Sequence, residues 1–97
     1  MSRQTEPATT TYIRNSSIGT ERVEDHLFLI DQARNRIHAL NGTAADIWEI
    51  LQDATTLNEL VQLYVKAYPA QPPKRLKQDL LLVIEKLASF GLIGNPG

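Results

Sequence analysis

The succession of segments along these 97 residues points to an α+β domain laid out as a winged helix-turn-helix: a small antiparallel β-sheet of two or three strands, then three α-helices. Three observations carry that reading. Short apolar runs at His26–Ile30 and Arg36–Leu40 are spaced like a hairpin, the hydrophobic period turns helical at Asn41, and each later stripe repeats at helical spacing.

Met1–Thr11 reads as a flexible N-terminal tail. Only Met1 and Ala8 are apolar there, too little burial to offset the entropy of ordering. The folded domain is expected over residues 12–93, with a second tail at 94–97. Tyr12-Ile13-Arg14 fits a short edge strand, and Asn15–Thr20 has turn chemistry. The two runs of the hairpin flank Asp31–Asn35, a five-residue connection. The first run is apolar almost throughout and is expected to lie deep, whereas the mixed second run suits an edge.

In the first helix Ala44, Ile47, Trp48 and Leu51 fall on one face, with Asn41 or Thr43 as cap and Asp46 in the first turn. The second opens on a capping box, Thr56 with Glu59, and its stripe is Leu57, Leu60, Val61, Tyr64 and Tyr68, stopped by Pro69. The third spans about Pro73–Phe90, with Leu76, Leu80, Val83, Leu87 and Phe90 as its main row and Gly91 as its end. Leu92-Ile93 is placed to return to the sheet.

Composition closes off several classes of function. A chain of 10.9 kDa buries roughly 65% of its unfolded surface, enough for one modest core and one domain. Ten basic and eleven acidic residues give a net charge of −1, so no overall field draws in nucleic acid or an anionic membrane. The absence of cysteine removes disulfides, thiolate nucleophiles and sulfur-ligated metal. The longest apolar run, Leu80–Ile84, is far too short to cross a membrane, and the first residues lack the apolar stretch of a secretory signal. A soluble, cytoplasmic domain is expected.

Catalytic material is sparse, and neither an enzyme nor a cofactor is expected. His26 and His38 are the only histidines. A hairpin pairing Ile30 with Arg36 puts them on one face, but no third metal ligand stands at a supporting spacing, so they read as ordinary strand histidines. Asp46, Glu49 and Asp53 read as a solvated helix face. Gly42, Gly91 and Gly94 are isolated and form no phosphate-cradling loop.

Two features offer binding capacity instead. The third helix carries a second line, Lys77, Leu81, Ile84 and Ala88, which either widens the core or meets a partner. Lys74, Arg75 and Lys77 crowd its N-terminus against the macrodipole, which suits an acidic segment or simply a solvated turn. The edge strand Arg36–Leu40 presents unpaired main-chain groups that can template an added strand.

Leu40-Asn41-Gly42-Thr43-Ala44-Ala45-Asp46-Ile47-Trp48-Glu49-Ile50-Leu51 resembles the PqqD family, and Thr56-Leu57, Leu60, Asp79-Leu80 and Gly91-Leu92-Ile93 continue the pattern in order. The resemblance covers His26–Ile93. It implies a non-catalytic peptide chaperone that holds the leader segment of a ribosomally made precursor peptide. Such a domain presents the leader to a modifying enzyme, such as a radical SAM protein, a leader peptidase or a cyclase. It further implies that the leader adds as a strand beside the last hairpin strand, in a groove formed with the third helix. Carried onto this chain, the groove joins Arg36, Ile37, His38, Ala39 and Leu40 to Lys74, Lys77, Gln78, Leu81, Ile84 and Glu85. Leu40, Ile47, Trp48, Leu51, Leu60, Leu80 and Leu87 fit the motif as core.

The chain departs from that pattern at Asp53-Ala54, where many relatives have Asp-Gly, and at Gly91-Leu92, where proteins of the quinone pathway tend to have Gly-Trp. Those proteins also tend to lack the Ile47-Trp48 pair. A binder serving some other modified peptide is therefore preferred over pyrroloquinoline quinone biosynthesis itself. A DNA-binding winged helix is the competing class, with Lys74, Arg75 and Lys77 on phosphates; the acidic pI of about 6.1, Asp79 and Glu85 oppose it. A structural subunit is a third class. Both a monomer and a homodimer fit the open edge.

Overall fold

Alternation in the N-terminal half and helical spacing in the C-terminal half give six strands and three helices in the computed structural model, which describes residues 10–40 and 42–96. The order is β1 (Thr11–Arg14), β2 (Gly19–Val23), β3 (His26–Asp31), β4 (Arg36–Leu40), α1 (Gly42–Ile50), β5 (Thr55–Thr56), α2 (Leu57–Ala67), α3 (Pro73–Ser89) and β6 (Ile93–Gly94). Nine of the tail residues expected at the N-terminus, and Asn41 as a helix cap, lie outside the described residues.

The strands form two three-stranded antiparallel sheets, ordered β5-β1-β6 and β2-β3-β4. The architecture is the expected α+β one, with more strands than the two or three read from the sequence. β2 escaped notice because Gly19–Val23 is exposed along its whole length and so carries no apolar alternation. β1 is central rather than an edge: it pairs with β5 at Thr11 and Tyr12 and with β6 at Ile13 and Arg14. Leu92-Ile93 does return to a sheet, as Ile93 opens β6.

In the larger sheet β3 lies between its neighbours, with Leu27 and Leu29 buried, and β4 is at the edge, as expected. The hairpin register differs by one residue from the one read off the sequence. Ile30 faces Ile37, Asp31 faces Arg36, and the loop is Gln32–Asn35. Asp31 causes the difference. Its carboxylate accepts the Arg34 backbone N–H at 3.2 Å and the Arg34 guanidinium at 3.0 Å, which folds the loop back and keeps Asp31 in the strand. A one-residue slip reverses every side chain. His38 therefore lies across from Leu29 on the core side, whereas His26 shares the other face with Phe28.

Among the described residues seventeen apolar ones make one core, including every residue that the family motif assigned to it. Trp48 is fully enclosed; its indole N–H donates to the Thr20 hydroxyl at 3.3 Å, and the Arg14 guanidinium sits 5.1 Å above its ring. α2 starts at the expected capping box: Thr56 accepts from the Glu59 backbone and Glu59 from the Thr56 backbone. Tyr68, read as part of the buried stripe, is 51% exposed.

Candidate functional site

The open margin of β4 borders a cleft of about 500 Å³. One wall is β4 itself, contributing Ile37, His38, Ala39 and Leu40. The other is the C-terminal half of α3, where Val83, Lys86 and Leu87 share a face with Phe90 just beyond the helix. Ala44 and Leu92 complete the lining. The imidazole of His38 meets the Phe90 ring at 4.9 Å, so strand and helix touch across the cleft. Ile37 is 69% exposed and Phe90 37%, which leaves large apolar side chains at the mouth.

The frame of the cleft is fixed at Gly91. Its φ of +74° ends α3 in the left-handed region, and its N–H donates to the Ala88 carbonyl at 2.9 Å. The Arg34 guanidinium lies against it, 2.9 Å from where a Cβ would stand. The Asn15 side chain donates to the Gly91 carbonyl at 3.1 Å. Arg34 thus ties the β3–β4 loop, through Asp31, to the end of α3. Burial would raise the Asp31 carboxyl pKa, but the hydrogen bonds and charge of Arg34, with a contribution from His38, hold it below its ordinary 3.8.

The structure gathers four of the five predicted β4 residues at this cleft, Leu40 among them although it is also buried, while Arg36 is outside its lining. The predicted helix residues are elsewhere. Ile84 is 1% exposed in the core, and Leu81 is half-buried against it. Lys74, Lys77, Gln78 and Glu85 are exposed on the side of α3 roughly opposite Val83, Lys86 and Phe90 at about 100° per residue. The helical wall of the cleft beside β4 thus differs from that of the groove expected from the resemblance. α2 packs along α3 and draws the stripe Leu76, Leu80, Ile84 and Leu87 inward, which turns Val83 and Phe90 toward β4. Their row was visible in the sequence, but nothing in its spacing separates a core row from the wall of a cleft. Among the described residues no group of three or more His, Asp or Glu side chains is placed to hold a metal ion.

A family model described as coenzyme PQQ synthesis protein D (PqqD) matches residues 26–93. The chain belongs to the PqqD family. The match runs from the first residue of β3 to the first of β6, so it takes in both walls of the cleft. Among solved structures, this PqqD-family domain is similar to TbiB1 in complex with the TbiA(beta) leader peptide. The TM-score is 0.75 at 16% sequence identity, covering 88% of this chain and 98% of that one. No curated protein sequence matches the chain. No helix among the described residues is long and apolar enough to cross a membrane.

Proposed function

We propose that this PqqD-family domain is a non-catalytic peptide chaperone. It binds the leader of a ribosomally made precursor as an added strand on β4 and presents it to a modifying enzyme. The observation that carries the reading is the open β4 edge beside an apolar cleft within the segment that the family model matches. The likeness in fold to a protein solved with a leader peptide supports it. Main-chain hydrogen bonds at about 0.5–1.5 kcal/mol each supply affinity in this mode, and side-chain pockets supply selection. Apolar leader residues sit against Val83, Leu87 and Phe90, while Lys86 meets an acidic leader residue. Ordering the leader consumes part of the gain, so affinity is expected on the order of −8 to −9 kcal/mol, micromolar to submicromolar.

Leu92 is buried where relatives of the quinone pathway tend to carry tryptophan, which favours service to another modified peptide. Fluorescence anisotropy with a labelled leader, from a precursor encoded near this chain, tests the site. Phe90→Ala and Val83→Glu are each expected to weaken binding roughly tenfold, a difference of about 1.4 kcal/mol. Lys77→Glu and Glu85→Lys, on the far side of α3, are expected to leave it unchanged. Loss of binding in the second pair with none in the first would overturn the assignment.

A further inference from the structure

A second cleft, of about 400 Å³, lies between α1 and α2, away from β4. Its apolar surface comes from Ile50, Leu63 and Tyr68, and Leu63 and Tyr68 are 48% and 51% exposed. Asp46 and Glu49 stand on its rim. Glu49 is engaged by Arg22 at 2.6 Å, whereas Asp46 has no ion pair among the described residues. Lys66 and Arg75 line adjoining clefts rather than this one, Arg75 in a cleft that shares Tyr64 and Tyr68 with it.

Tyr64 is the independent pointer. It lines this cleft, is 7% exposed and stacks on Tyr68 with ring centroids 5.9 Å apart. Its hydroxyl is enclosed and has no hydrogen-bond partner among the described residues. A buried hydroxyl left unpaired is costly, so a fold that keeps one keeps an unused acceptor and donor. Asp46 and Tyr68 line the same cleft as Tyr64.

We infer that this cleft takes an arginine-bearing segment of a partner protein, with the guanidinium between Asp46 and Tyr64 and a neighbouring apolar side chain against Ile50 and Leu63. The guanidinium matches each feature in turn. Its donors suit the Asp46 carboxylate and the Tyr64 oxygen, and its plane suits the exposed Tyr68 ring. An acidic segment has no counter-charge here, and a purely apolar one leaves the hydroxyl unpaired. Because this cleft and the β4 cleft share no lining residue, both can be filled at once.

The test titrates the full-length, isotope-labelled protein with a hexapeptide of alternating arginine and leucine, and with its citrulline-for-arginine counterpart. The arginine peptide is expected to shift the amides of Asp46, Ile50, Leu63, Ala67 and Tyr68. The neutral counterpart is expected to bind roughly tenfold more weakly. Tyr64→Phe is expected to raise the melting temperature of the free protein while weakening the arginine peptide severalfold. Asp46→Asn is expected to weaken it with little change in melting temperature. Equal binding of the two peptides, shifts confined to Arg36–Leu40 and the end of α3, or a lower melting temperature in Tyr64→Phe would each overturn the proposal. Tyr68→Ala is expected to spare leader binding at β4, so failure here and failure of the chaperone reading are told apart.

Discussion

At the scale of single residues, the domain rests on a few side chains whose environments set measurable consequences. Trp48 fills the centre, and its one polar atom is satisfied by Thr20. Trp48→Ala is expected to cost about 3–5 kcal/mol in urea denaturation, mostly as cavity and lost burial. Thr20→Val keeps the volume but orphans the indole N–H, for a loss of about 1–3 kcal/mol. Two groups give the stability curve its pH limits. The Asp31 carboxyl has a folded pKa below its ordinary 3.8, so the unfolded chain binds its proton more readily. Its contribution is full above the ordinary value and is lost as pH falls through the lowered one. Tyr64 is the opposite case, raised from 10.0 to about 12 by burial first and by the Asp46 charge second. Its contribution is full below pH 10 and is lost as pH rises toward about 12. Melting temperatures across pH are expected to show both limbs, with Asp31→Asn flattening the acid one and Tyr64→Phe the alkaline one.

Among the elements, α2 carries the clearest local code. Thr56 and Glu59 satisfy two of its first backbone donors reciprocally, and Thr56→Ala is expected to cost about 1 kcal/mol by thermal denaturation. That code was legible because a cap acts over three residues. The helices, the buried β3, the edge position of β4 and the return at Ile93 were legible for a similar reason: period and punctuation are local. The details that went unread are tertiary. β2 has no apolar face to announce it, and its pairing with β3 comes from the tight turn at Glu24-Asp25. The β3–β4 register was decided by a carboxylate folding back on Arg34 rather than by the apolar pattern. The facing of α3 was decided by α2: Ile84 and Val83 are adjacent and similarly apolar, yet one is in the core and the other lines the cleft. The strand wall of the cleft could therefore be read from an edge argument, whereas its helical wall could not.

Over the whole molecule, the two sheets and three helices leave one strand margin beside an apolar trough, with a separate acidic cleft at α1 and α2. Gly91 and Arg34 meet where the β3–β4 loop reaches the end of α3, so on the proposed reading the leader would meet a preformed seat and order mainly itself. Membership of the PqqD family covers both walls, and strand addition at β4 is the claim on which the chaperone reading depends. Amide hydrogen exchange of Arg36–Leu40, measured with and without a bound leader peptide, tests it most directly. Strand addition predicts that alternate amides of β4, those directed away from β3, become strongly protected when the leader binds. A leader that binds while exchange along β4 stays unchanged, with protection appearing elsewhere, would contradict it.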